Sequence, residues 1–278
     1  MQYSIIKKKS MICAYSEERL NFEPKDWRKD FKNELSNVIK ELAPDGEIFK
    51  SKLITEVNEF FDVENILFYN LGTANFKRLD SKGVWFSLER GETLHNKKYV
   101  YEYGFADSFP EIKEDIIAEW SNVKIEKPTV GRKPLDYWMS FKKSNRIKTN
   151  CVNYQGEFGL SIIIDKPKNE VLNVINIQKP LLDGIISVFH EATKVDDDII
   201  EYISSKACCS IEEIESFFGN NKIAVLPKRN IIRKYGEGIK WNPQDEKCIE
   251  VRILVRDTED KLYKLSGCMF KKEKVFNR

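Results

Sequence analysis

The alternation of apolar and polar positions predicts both helices and strands in the first 125 residues. Apolar residues recur at helical spacing from Pro24 to Leu42, where A-P-D-G ends the pattern. Residues Leu53–Phe61 fit either a strand or a short helix. The run V-W-F-S-L-E after Gly83 predicts a strand, continued as a hairpin through Tyr99–Tyr103, and Phe109–Trp120 has a helical pattern.

The second half of the chain has a similar mixture. Strands are predicted at 158–164 and 249–255, and a helix at 180–189. Residues 196–219 are acidic and predict two short helices, whereas 222–240 are basic and loop-like. Helices and strands do not alternate as regularly as in a barrel or a Rossmann fold, so the pattern predicts an α+β fold, a mixed sheet with flanking helices.

A change in composition suggests how the chain is divided. Residues 121–135 mix proline, glycine and charge, which is typical of a domain boundary or a long connection. We therefore expect an N-terminal α+β region at 1–125 and a C-terminal region at 126–278. A helical and basic segment at about 191–235 is expected to be an insertion in the second region.

Composition narrows the possible functions. The chain has 46 Lys+Arg against 44 Asp+Glu, so nucleic-acid binding would depend on local clusters of charge. Only two histidines are present, which excludes a histidine-rich metal site, and no P-loop or other common catalytic motif occurs. The six cysteines form no C-x-x-C pair. With no signal peptide and no apolar run of about 20 residues, a reduced, cytoplasmic protein without membrane contact is expected.

The segment from Leu172 to Phe189 combines a helical apolar pattern with a charged pair, Lys179 and Asp183. One interpretation is a solvated i,i+4 ion pair, which contributes about 0.3–0.5 kcal/mol. The other is a functional site. A buried strand precedes this segment, and W-N-P-Q-D-E precedes a later strand.

This order of elements resembles the RusA-type Holliday-junction resolvases. In that family a strand is followed by D-x-D-N-x-x-K at a helix start, and a downstream W-x-D-D precedes another strand. Here N-I-Q-K, ending at Lys179, matches N-x-x-K, Asp183 matches an acid that commonly follows, and Trp241, Asp245 and Glu246 match W-x-D-D with one extra residue. The resemblance covers mainly residues 158–190 and 236–256.

The resemblance implies a site in which carboxylates hold Mg²⁺ and a lysine neutralises the phosphate. Lys179, Asp183 and Asp245 are the residues that would act in catalysis. The two aspartates of D-x-D are replaced by Asn173 and Ile175. Since isoleucine cannot bind a metal, nuclease activity is expected to be reduced or lost, as in a pseudoenzyme.

A second, fainter copy of the motif lies in the N-terminal half, where Asp62, Glu64 and Asn65 read like D-x-D-N and Phe68 replaces the lysine. One interpretation is that the two halves are a repeat in which one copy has kept the acids and the other has kept the lysine. In that case Asp62, Glu64 and Asp245 would bind the metal beside Lys179, and activity would persist at this composite site. The alternative is that Asp62 caps a helix.

Two basic clusters are candidates for binding nucleic acid. The first includes Lys142, Lys143 and Arg146, interleaved with aromatic residues that stack on bases if exposed: Tyr137, Trp138 and Phe141. The second includes Lys228, Arg229, Arg233 and Lys234. The alternative is two solvated basic faces, paired with nearby acidic runs, with the aromatic residues in the core.

These observations lead to two hypotheses. The first is a nucleic-acid-binding protein, with DNA as the expected partner, related to structure-specific endonucleases and requiring Mg²⁺ only if it is catalytic. The second is a non-catalytic, protein-binding subunit of a larger assembly such as a phage-defence complex. A homodimer is compatible with both.

Overall fold

The computed structural model describes residues 2–79, 82–93 and 97–272. The N-terminal half contains, in chain order, β1 (Tyr3–Lys8), β2 (Met11–Ser16), α1 (Trp27–Lys40), β3 (Ile48–Thr55), a π-helical turn (Asn65–Tyr69), a 3₁₀ turn (Thr73–Phe76), β4 (Gly83–Arg90) and β5 (Tyr99–Ala106). The C-terminal half continues with β6 (Ile116–Ile125), α2 (Pro134–Lys142), β7 (Ile147–Thr149), β8 (Glu157–Pro167), α3 (Val174–Val188), β9 (His190–Ala192), α4 (Asp197–Ala207), α5 (Ile211–Gly219), β10 (Leu226–Arg229), β11 (Ile232–Tyr235), β12 (Gly238–Trp241), a 3₁₀ turn (Asp245–Lys247), β13 (Cys248–Thr258) and β14 (Tyr263–Lys272).

The large sheet is mixed and has the order β1-β2-β5-β3-β4-β13-β8-β14-β6-β7. β3 and β4 are parallel, β8 and β13 are parallel, and the other neighbours are antiparallel. The predicted α+β class, a mixed sheet with flanking helices, is confirmed. Among the described residues, no helix has both the length and the apolar character needed to cross a bilayer.

From the two edges inward, the halves of the sheet have related strand orders that differ at the edge, because β1 precedes β2 in the chain whereas β7 follows β6. The N-terminal half contributes β1-β2-β5-β3-β4, and the C-terminal half contributes the corresponding series β7-β6-β14-β8-β13. The halves meet where β4 pairs antiparallel with β13, and α1 and α2 precede the corresponding strands β3 and β8. β6 precedes the predicted boundary at 125, yet it pairs with β14.

Helices α1, α2 and α3 pack against the large sheet. Phe31 of α1 packs on Tyr101 of β5, and Trp120 of β6 packs on Phe141 of α2 and on Phe189 at the end of α3. These aromatic side chains belong to one buried apolar core that extends across both halves. Burial of the apolar surface of these side chains, which contributes about 25 cal/mol per Å², is the main force that holds the helices on the sheet.

A glycine sets the close approach of α2 and α3. A Cβ atom on Gly184 would lie 2.6 Å from the carbonyl oxygen of Pro134 and 2.7 Å from Cβ of Tyr137. Only glycine therefore allows the backbones to pack this closely. This contact fixes the position of α3, which carries Lys179.

Several predictions of local structure were confirmed and others were wrong. The helix at 24–42, the strands at 158–164 and 249–255 and the two acidic helices all occur. The predicted helix at Phe109–Trp120 is wrong, because Ile116–Ile125 forms β6 and pairs with β14. The predicted hairpin is also wrong, because β3 lies between β4 and β5. An alternating pattern specifies a strand but not its neighbour.

The basic segment 222–240 is also more ordered than predicted. It contains β10, which pairs with β9, and β11, which forms a hairpin with β12. Most side chains of these short strands are exposed or half-buried, so apolar and polar residues do not alternate along them as in a strand with one buried face. The sequence therefore resembled a loop.

Candidate metal and phosphate site

Five charged residues from distant parts of the chain meet at one point, which we call the carboxylate–lysine cluster: Asp62, Glu64, Lys179, Asp183 and Asp245. The Nζ atom of Lys179 lies 2.8 Å from Asp62 Oδ2, 2.7 Å from Glu64 Oε1, 3.1 Å from Asp183 Oδ1 and 2.5 Å from Asp245 Oδ2. The sequence had assigned catalytic or metal-binding roles to all five residues, and the structure brings them together.

The four acids come from three parts of the chain. Asp62 and Glu64 lie in the segment between β3 and the π-helical turn, whereas Asp245 begins the 3₁₀ turn that leads into β13. Lys179 and Asp183 lie one helical turn apart on α3. The cluster therefore contains groups from both halves of the sheet.

The structure corrects the expected start of the lysine helix. α3 begins at Val174, so Lys179 lies in its second turn rather than at its N-terminus. The side chain of Asn173 accepts a hydrogen bond from the backbone N–H of Asn176 and caps the helix. Ile175 is buried in the apolar core. Asn173 and Ile175, which the resemblance aligns with D-x-D, therefore have structural roles.

Asp62 directly precedes the helical residues that begin at Val63, as the capping alternative expects, but in the described part of the chain its side chain makes no capping hydrogen bond to a backbone N–H. Asp62 Oδ2 accepts hydrogen bonds from the Asn65 side chain and from Lys179, and Oδ1 is buried without a hydrogen-bond partner among the described residues. Phe68, which stands at the motif position corresponding to Lys179, is fully buried and packs on Phe86. The N-terminal half thus supplies two acids, Asp62 and Glu64, and the C-terminal half supplies the lysine with Asp183 and Asp245.

Burial shifts the protonation of the acids. Desolvation raises the pKa of Asp62 to about 8, and the neighbouring Glu64 carboxylate adds to this shift. Desolvation also raises the pKa of Asp183 to about 7, and it raises that of Asp245, although Lys179 opposes both shifts. Burial acts against the charge of Lys179, but the four carboxylates outweigh this and raise its pKa. The lysine is therefore charged at neutral pH.

The donor set fits a divalent cation that prefers oxygen ligands. One oxygen from each of Asp62, Glu64 and Asp245 lies within 4.8 Å of the others. Oxygens around Mg²⁺ at about 2.1 Å are about 3 to 4 Å apart, so only a small closure is required. Asp62 Oδ1 is buried without a hydrogen-bond donor among the described residues, and the buried Glu64 Oε1 and Asp183 Oδ1 have the Lys179 ammonium at 2.7 and 3.1 Å. Such oxygens favour cation binding.

A buried histidine positions the turn that carries Asp245. His190 Nδ1 lies 2.7 Å from the carbonyl oxygen of Pro227, and Nε2 accepts the backbone N–H of Gln244 at 3.3 Å. Together these contacts require a neutral ring with the proton on Nδ1. Burial lowers the pKa of His190 to about 4, consistent with this form. The sequence offered no signal for this role, because Gln244 lies 54 positions away.

The predicted nucleic-acid contacts are largely engaged in ion pairs. Lys228 pairs with Glu191, Arg229 with Glu246, Lys234 with Asp198, and Lys143 with Glu213 at distances of 3.0, 3.0, 2.6 and 3.9 Å. Exposed pairs of this kind contribute little to stability, so phosphates can compete for these cations.

The other three predicted contacts differ in their surroundings. Arg233 and Arg146 are exposed, and neither has an ion-pair partner in the described part of the chain. Lys142 packs over the Trp138 ring, and burial lowers its pKa to about 8. Lys142 is therefore the least suitable of the seven for binding phosphate.

The predicted stacking aromatics are unsuitable. Tyr137, Trp138 and Phe141 are at most 2% exposed, so they belong to the core and cannot stack on bases. Phe60, two residues before Asp62, is 56% exposed and has the Arg90 guanidinium 5.9 Å from its ring centroid. The sequence gives no signal for Phe60, because a single apolar residue beside a strand is as compatible with burial as with exposure.

Comparisons with protein-family models, with curated proteins and with solved structures found no match to this chain.

Proposed function

We propose that the protein binds nucleic acid and hydrolyses phosphodiester bonds with a divalent metal at the carboxylate–lysine cluster. The observation that carries this proposal is the meeting of the Lys179 ammonium with acids from both halves of the chain, at 2.5 to 3.1 Å. The lost aspartates of the C-terminal motif are thereby replaced by Asp62 and Glu64. Activity retained at a composite site is favoured over a pseudoenzyme.

The residues would have distinct roles. Asp62, Glu64 and Asp245 would hold Mg²⁺ or Mn²⁺, which activates water and stabilises charge on the phosphate. Lys179 carries the positive charge that a phosphate requires, and it lies against the same oxygens that would bind the metal. Asp183 lies on α3 beside Lys179 and keeps the ammonium at the cluster when no phosphate is bound.

Phe60 and a basic segment of the chain would supply contacts to a strand. Phe60 offers a stacking surface, and stacking of a base on an aromatic ring contributes about 1–3 kcal/mol. Lys228, Arg229, Arg233 and Lys234 lie in the segment that precedes Asp245 in the chain. These groups recognise the phosphate backbone rather than a base sequence.

A cleavage assay tests the proposal. Purified protein is incubated with branched, duplex and single-stranded DNA in Mg²⁺, Mn²⁺ or EDTA, alongside Asp62→Asn, Lys179→Met and Asp115→Asn. Asp115 is 78% exposed and pairs with Lys271, so Asp115→Asn is a matched loss of one ion-paired carboxylate. We expect cutting by wild type and Asp115→Asn in metal only, with at least a hundredfold loss in the two cluster variants.

A mobility-shift series at several salt concentrations separates the alternatives. A steep loss of affinity with salt supports phosphate contacts. Absence of metal-dependent cutting, with DNA binding retained, would restore the pseudoenzyme interpretation. Absence of DNA binding at low salt would favour the protein-binding subunit.

A further inference from the structure

A second charged site lies away from the carboxylate–lysine cluster, in a cleft of about 720 Å³. The cleft is bounded by β6, by α2 with the turn that follows it, and by the end of α4. Five cationic side chains line it, and we call it the basic cleft: Lys124, Arg132, Lys143, Arg146 and Lys206. Pockets of this size hold ligands as large as a nucleotide.

The positive charge of the basic cleft is only partly neutralised by the protein. Its acidic residues are Glu126 and Asp136. Glu126 pairs with Arg132, and Asp136 accepts the backbone N–H of Lys133 at the start of α2. Both carboxylates are therefore already paired, and neither neutralises the other cations of the basic cleft.

Three of the cations have no carboxylate within ion-pair distance in the described residues: Lys124, Arg146 and Lys206. All three side chains are exposed. They come from β6, from the turn after α2 and from the end of α4, so three separate segments direct positive charge at one concave surface. Like charges held together in this way repel one another, and an anion relieves that repulsion.

The other lining groups suit a ligand with an uncharged part. Leu135 and Met139 of α2 line the cleft and are each 7% exposed. Ser140, Ser144 and Asn145 add neutral hydrogen-bonding groups. These neutral groups lie beside three cations without an ion-pair partner in the described residues, one of which, Lys206, lies 5.7 Å from the Tyr202 ring centroid. A ligand that joins an uncharged sugar and base to phosphate suits this lining.

We propose that the basic cleft binds the phosphate groups of a nucleotide, with Lys124, Arg146 and Lys206 as the phosphate contacts. The nucleotide is either free in solution or the phosphorylated end of a nucleic-acid strand. The arginine contributes paired N–H donors that match phosphate geometry, and the lysines contribute point charges. This site is independent of the metal-dependent chemistry proposed for the carboxylate–lysine cluster.

Calorimetric titration in EDTA tests the proposal, because the absence of divalent metal removes metal-bridged binding of phosphate at the carboxylate–lysine cluster. The ligands are ATP, inorganic pyrophosphate and a short oligonucleotide with or without a 5′-phosphate. The proteins are wild type, the double variant Arg146→Gln/Lys206→Gln and the control Lys148→Gln. Lys148 is 72% exposed and pairs with Glu119, and it does not line the basic cleft.

We expect binding of ATP or of the 5′-phosphorylated oligonucleotide, at least tenfold weaker in the double variant and unchanged in Lys148→Gln. Preference for ATP identifies a free nucleotide, and preference for the phosphorylated over the unphosphorylated strand identifies a strand end. Binding that is equal in the double variant and wild type overturns the proposal, as does no binding of any phosphate ligand at about 10 mM. Asp62→Asn should bind the same ligand normally, so failure of the proposed nuclease would leave this result intact.

Discussion

The ammonium nitrogen of Lys179 lies 2.8 Å from Oδ2 of Asp62, although 117 positions separate the two residues in the chain. Asp62 follows β3 of one half of the sheet, and Lys179 follows β8 of the other. Their contact joins an acid of the N-terminal half to the lysine of the C-terminal half. Three further carboxylates lie around the same ammonium, so the charge balance of the cluster depends on Lys179.

Removal of the lysine charge should destabilise the fold. In Lys179→Met four partly buried carboxylates lose their common cation. Loss of one partner from a buried pair costs about 3–5 kcal/mol, and the one-third exposure of Lys179 reduces the expected loss to about 2 kcal/mol. Urea denaturation in EDTA at pH 8 measures it. A change below about 0.5 kcal/mol, typical of a surface position, would show that the cluster is not held by this cation.

Stability should fall as pH rises from 6.5 to 8 in EDTA. The pKa of Asp62 is raised to about 8 and that of Asp183 to about 7, whereas an unfolded aspartate titrates near 3.9. The folded state therefore binds more protons in this range, and ionisation at higher pH favours unfolding.

We expect a loss of about 1–2 kcal/mol over this range, since each unit of pKa shift corresponds to about 1.4 kcal/mol and partial exposure reduces the effect. Asp62→Asn should flatten the curve of unfolding free energy against pH, and Asp115→Asn should not. A wild-type curve that rises between pH 6.5 and 8 would contradict the assignment.

Acid should act on His190 in the opposite sense. Burial lowers the pKa of His190 to about 4, whereas an unfolded histidine titrates near 6.5, so its stabilising effect is complete above pH 6.5 and is lost as pH falls towards 4. Titration of the acids overlaps this range, so the informative quantity is the difference between wild type and His190→Gln. That difference should shrink by about 2–3 kcal/mol between pH 6.5 and 4. A constant difference would show that His190 does not titrate with folding.

The contact between α2 and α3 should tolerate no side chain at Gly184. Gly184→Ala places a Cβ atom 2.6 Å from a backbone oxygen, and the overpacking should cost about 1–3 kcal/mol. Gly219→Ala is the matched control in another helix, because nothing lies within 4 Å of its added Cβ. Thermal denaturation compares the two. Equal melting temperatures of the two variants would mean that α2 and α3 can move apart without loss of stability.

A second effect of Gly184→Ala concerns the site. Since α3 carries Lys179 and Asp183, a displaced helix should also weaken metal-dependent cutting, even where the protein remains folded. Cleavage assays at a temperature below the unfolding transition measure this effect against Gly219→Ala.

The sequence by itself determined the fold class and most of the elements. The apolar run of β8 and the helical periodicity of α1 predict their elements correctly. The reason is that the spacing of apolar residues within a short segment shows whether a helix or a strand would bury them together. The chemistry-bearing residues were also visible, since Asp62, Glu64, Lys179, Asp183 and Asp245 stand in motif-like spacing. The sequence did not show which of these residues contact one another in the folded chain.

Only the tertiary structure decided which strands are neighbours and which charges meet. β3 lies between β4 and β5, and Trp138 is buried while Phe60 is exposed, because sheet order and helix packing are set by contacts between distant segments. The same holds for the five charged groups around Lys179. A charge pattern gives the groups available, and long-range packing alone determines which of them share a buried site.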